Sequence, residues 1–94
     1  VDSRVAAFRD GLAPDGEAPA VAALWHVAHG AWAIAHGLVQ DDPSREAAWV
    51  HAHLHRVEGD LSNAAYWYRT AGQPVAGDAI DVEWTRLVSA LIAA

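Results

Sequence analysis

Residues 51–72, HAHLHRVEGDLSNAAYWYRTAG, decide the fold. The stretch reads as one helix, a break, and a second helix. Gly59 closes the first, because glycine enters the left-handed conformation of a helix end without a steric penalty. Asp60 or Ser62 caps the next, since a short polar side chain accepts a backbone N–H that the first turn leaves free. This second helix is predicted over 61–71. Gly72 ends it, and Pro74 forbids its continuation.

The same punctuation extends in both directions. Asp42 followed by Pro43 opens the first helix of the pair, over 43–58. Pro19 opens a long helix to about Gln40, with Val21, Leu24, Ala28, Ala31, Ala35 and Leu38 on one apolar face. A short helix over 3–11 is capped by Ser3, and the prolines and glycine of APDGEAP (13–19) make a loop. Asp78 and Asp81 begin the last helix, with Ile80, Trp84, Leu87, Val88 and Leu91 as its stripe. Strand signals are nearly missing. The expectation is a single all-α domain, 1–94, of about five helices in antiparallel, orthogonal or bundle-like packing.

Composition narrows the function. The chain has 94 residues, 53% of them hydrophobic, with five tryptophans to give one core its bulk. A formal charge of -6 opposes phosphate backbones, and the six basic residues are scattered arginines, so no nucleic-acid partner is expected. His26, His29 and His36 interrupt the longest apolar stretch, which argues against a membrane span. Without cysteine there is neither a disulfide framework nor a thiolate metal site. A cytoplasmic protein fits these features.

The histidines carry the chemistry. At about 100° per residue, His51 and His55 share a helix face, Glu58 falls on the same side, and His53 points away toward Trp49, Val50 and Val57 as a packing residue. Histidines at i and i+4 can converge on one metal ion. Glu58 lies about 10.5 Å along the axis from His51, so it suits a role near His55 or as an outer acceptor for a ligand ring. His36, across the short connection, is the best third donor. The candidate metal set is therefore His36, His51, His55 and Glu58, with a transition metal such as zinc as cofactor. In the long helix, His29 and His36 are too far apart to share an ion. His26 and His29 can share one, while Gly30, Ala33 and Gly37 beside them would let another helix approach.

Two likenesses add to this reading. Gly59, Ala64, Tyr68 and Ala71 fall at the small and aromatic positions of a tetratricopeptide repeat, so residues 43–74 resemble one hairpin of that kind, without a second copy. Placed in that hairpin, His51 and His55 would face Ala64, Tyr68 and Ala71. The pattern H-x3-H-R-x-E-G-D-x2-N-A-x2-W-x-R, from His51 to Arg69, resembles an uncharacterised family of small helical proteins over residues 24–74. That resemblance implies one connected polar network of His36, Gln40, His51, His55, Arg56, Glu58, Asp60, Asn63 and Arg69, without an assigned reaction.

Two functions follow as expectations. In the first, His51 or His55 is a ligand or general base, Glu58 its orienter, and Arg56 or Arg69 an anion-binding group. No cysteine nucleophile, serine elbow, phosphate loop or HExxH pattern accompanies them. In the second, the polar residues only fix the hairpin, and the chain is an interaction module with a self-association or protein-partner face such as Ile80, Trp84, Leu87 and Leu91. A binding site leaves part of the histidine cluster open, whereas a structural network seals it.

Overall fold

The computed structural model describes residues 3–92 and places six helices there, with no strand. In chain order they are α1 (Ser3–Asp10), α2 (Pro19–Ala28), α3 (Trp32–Val39), α4 (Arg45–Glu58), α5 (Leu61–Ala71) and α6 (Ile80–Ile92). The α4 helix is central and packs against α2, α3, α5 and α6, while α1 lies on α2 and α6.

The predicted ends of the α4–α5 hairpin hold. Gly59 (φ 88°) and Gly72 (φ 71°) are left-handed closures, and Asp60 caps α5 by accepting from the Asn63 N–H. Each closure carries a paired backbone motif, Gly59 N–H to Arg56 O with Asp60 N–H to His55 O, and its equivalent at Gly72. The start of α4 differs from the expectation. Ser44, not Asp42, caps it by accepting from the Ala47 N–H, and Asp42 instead accepts from the Ser44 N–H.

The long helix over 19–40 is a correction. Gly30 (φ 78°) ends α2 with the same closure, Gly30 N–H to Val27 O and Ala31 N–H to His26 O, and α3 starts afresh at Trp32. The apolar run continues through the break, so periodicity alone reads it as one helix. Val21, Leu24 and Ala35 are buried as expected, but Ala28 is exposed. Gly30, Ala33 and Gly37 are exposed too, with nothing near a Cβ placed on either glycine, so they are not a packing seam.

Leu24, Leu54 and Leu87 sit at the middle of the core with Val39, Val50 and Val88. Burying each leucine contributes about 1.5–3 kcal/mol. A smaller cluster of Ala52, Ala64 and Tyr68 joins α4 to α5. Trp84, Leu87 and Val88 of the α6 stripe belong to the main core, whereas Ile80 is exposed. Among the described residues, no helix is long and apolar enough to cross a membrane.

Candidate metal centre

The connection between α3 and α4 reverses the chain, so a residue about one turn before it lies level with one nearly two turns after it. His36 and His51 are placed in this way, and their Nε2 atoms are 3.1 Å apart. His55, one turn further along α4, completes a trio whose ligand atoms all lie within 4.8 Å of one another. Nitrogens bound to one tetrahedral zinc at 2.0–2.1 Å are about 3.4 Å apart, so small ring movements bring the three to a common ion.

The rings are held from outside by tryptophans. His36 stacks on Trp32 (centroids 4.8 Å, 10°) and His51 on Trp67 (3.9 Å, 17°). Trp32 is itself fixed, since its indole N–H donates to Leu54 O at 2.7 Å and pins α3 to α4. His51 and His55 are buried, while His36 is partly open and forms the accessible side of the cluster.

Burial favours the uncharged rings. It lowers the pKa of His51 to about 4, with the neighbouring His55 and His36 adding to the effect. Burial also lowers the His36 pKa, His55 lowers it further, and Glu58 opposes both. An uncharged imidazole keeps the lone pair that a metal needs. His51 Nδ1 is fully buried without a hydrogen-bond partner, which costs about 1–3 kcal/mol and leaves the ring's position unexplained by hydrogen bonding alone.

Glu58 does not join the trio of donors. Its carboxylate accepts from His55 Nδ1 at 2.6 Å, which leaves His55 Nε2 as the nitrogen with a free lone pair. Asp60 lies within reach of the same carboxylate and ring, but it also caps α5. The hydrogen bond from the Asn63 backbone N–H holds the Asp60 carboxyl below the usual carboxylate range.

The remaining predicted site residues do not form one network with these. Gln40 is exposed at the end of α3. Asn63 bonds to Asp60, through its backbone N–H and its side-chain amide. Arg69 is exposed and lies over the Tyr66 ring at 5.9 Å. Arg56 points elsewhere, donating to Glu83 Oε1 at 3.1 Å and to Asp78 O. Of the two arginines expected to bind anions, one is engaged by an internal carboxylate and the other stands apart from the histidines. In the long apolar stretch, His29 Nε2 donates to Arg9 O at 2.8 Å, and the ring stacks on Trp25.

Glu83 was not singled out from the sequence, where it reads as one more acid in the first turn of a helix. It is fully buried and receives His53 Nδ1 at 2.7 Å, Arg56 Nη1 at 3.1 Å and the Tyr68 hydroxyl. Burial alone would raise its pKa, but the bonds from His53, Tyr68 and Arg56 outweigh it and hold the carboxyl down at about 2. Burial and the adjacent Glu83 push the Tyr68 phenol well above its usual range. His53 is thus a satisfied core residue, as its place opposite His51 and His55 implies, and Tyr68 partners Glu83 rather than the cluster.

No family model matches this chain, and neither the curated proteins nor the solved structures contain a match to it.

Proposed function

We propose that this protein binds a transition-metal ion, zinc suiting the donors well, through His36, His51 and His55. The observation that carries the reading is the convergence of three imidazoles from two helices, with ligand atoms within 4.8 Å of one another. Glu58 supports it as the acceptor that fixes the His55 ring, the usual outer partner of a metal-bound histidine. Three protein donors leave a fourth tetrahedral position for water or a small ligand, the pattern of catalytic zinc rather than of closed structural zinc. The partly open edge at His36 gives that position access.

A second reading rests on two hydrogen bonds. His36 with His51, and His55 with Glu58, hold the cluster together without an ion. The chain is then an interaction module built on a tetratricopeptide-like α4–α5 hairpin, in which Ala64, Tyr68 and Ala71 are the buried packing positions.

Elemental analysis of protein purified without a histidine tag separates the two. Stoichiometric zinc or another transition metal, lost in both His51→Ala and His55→Ala while helical circular dichroism persists, is the expected result. Absence of metal even after incubation with zinc, together with unfolding of both variants, favours the structural network.

A further inference from the structure

Imidazoles bind a metal in their uncharged form, so a divalent ion held by three of them keeps its full charge of two. The groups that balance this charge lie just outside the rings. Glu58 Oε1 meets His55 Nδ1 at 2.6 Å, and Asp60 brings a carboxylate oxygen within 4.8 Å of both Glu58 and the His55 ring. His55 is in turn a neighbour of the accessible ring, with the His36 and His55 centroids 5.3 Å apart. Burial and His55 lower the His36 pKa, and Glu58 acts on that ring in the opposite sense, as a nearby negative charge does.

Arg56 and Arg69 do not offset these carboxylates, since the first donates to Glu83 and Asp78 and the second lies over Tyr66. The other walls are aromatic. Trp32 stacks on His36 and meets His55 edge-on at 6.0 Å, while Trp67 stacks on His51. The Trp32 N–H is already donated to Leu54 O. Two carboxylates match the two charges of a bound ion, so an anion at its fourth position adds an unmatched charge beside partly buried rings, where charges interact more strongly than in water. An uncharged donor leaves the balance as it is.

We propose that the fourth position of this centre takes a small uncharged nitrogen heterocycle of the azole class in preference to an anion. The inference rests on the metal reading given above. An azole nitrogen suits the same ions as the three protein imidazoles, and a flat ring suits an edge walled by indoles. Glu58 and Asp60 set the preference through their charge.

The test loads the full chain with cobalt(II), whose visible absorption reports its coordination, and adds imidazole or azide at about pH 8, where most imidazole is uncharged. Imidazole should shift the cobalt bands saturably, with a Kd on the order of 1 mM. Azide should bind at least about tenfold more weakly. Glu58→Gln still accepts from His55 Nδ1 and Asp60→Asn still caps α5, so each removes a charge and keeps its hydrogen bond. At saturating cobalt, Glu58→Gln should tighten azide binding about three- to tenfold, Asp60→Asn should tighten it less, and imidazole binding should stay within about twofold in both. Equal affinity for the two probes, no saturable shift with imidazole, or unchanged azide affinity in the variants overturns the proposal while leaving the metal centre standing. Absence of cobalt bands overturns the metal reading itself, and this inference with it.

Discussion

His55 and Glu58, one turn apart on α4, are joined by a 2.6 Å hydrogen bond that decides which nitrogen of the ring is left for His36 and His51. The carboxylate fixes the tautomer from a position outside the cluster. Glu58→Ala should therefore leave all three imidazoles in place and lower zinc affinity about 10–100-fold. Competition against a chromophoric chelator measures the change. An unchanged affinity would remove Glu58 from any part in the centre.

The buried carboxylate of Glu83 is the larger structural commitment. Glu83→Ala strands Arg56, His53 and the Tyr68 hydroxyl together, and removing one partner of a buried charged set costs about 3–5 kcal/mol. Small domains are stable by only about 5–15 kcal/mol, so the urea midpoint should fall steeply. A change below about 1 kcal/mol would mean that the network contributes little.

The same residue predicts an acid limb. Glu83 has a folded pKa of about 2 against a reference near 4.5, so its stabilisation is fully present above pH 4.5 and is lost as pH falls toward 2. The groups that face it are His53 and Arg56 from α4 and Tyr68 from α5. The loss amounts to about 3 kcal/mol, and it should be absent from the urea-derived stability profile of Glu83→Gln. Parallel profiles for the two proteins would contradict it.

Gly30 stands at φ 78° with open space around its missing Cβ. Substitution there meets no clash, and the backbone alone resists it. Gly30→Ala should destabilise the chain by about 1–2 kcal/mol, read from the thermal midpoint. A neutral effect would show that the α2–α3 corner tolerates another geometry.

Different parts of the molecule were legible to different degrees in the sequence, for physical reasons. The α4–α5 hairpin could be read because Gly59, Asp60 and Gly72 act locally, each on backbone groups within a turn. His51 and His55 could be read because helical periodicity alone puts them on one face. His36 required an assumption that a short 41–42 connection brings two helices level. Glu83 could not be read, because its partners lie 30, 27 and 15 residues away and no local pattern distinguishes a buried acid from an exposed one. The break at Gly30 was masked by an apolar run that suits one helix as well as two.

The stacking of His36 on Trp32 and of His51 on Trp67 has a consequence for ligand capture. Immobilising a free side chain on binding usually costs about 0.5–1.5 kcal/mol of lost rotamer freedom. Here that ordering is completed when the chain folds, so an ion bound as proposed would meet rings whose rotation is already restricted. Readiness of the centre and integrity of the α3–α4 contact are then one property. If the proposed centre binds an ion, loosening α3 would weaken that binding before any donor atom was changed.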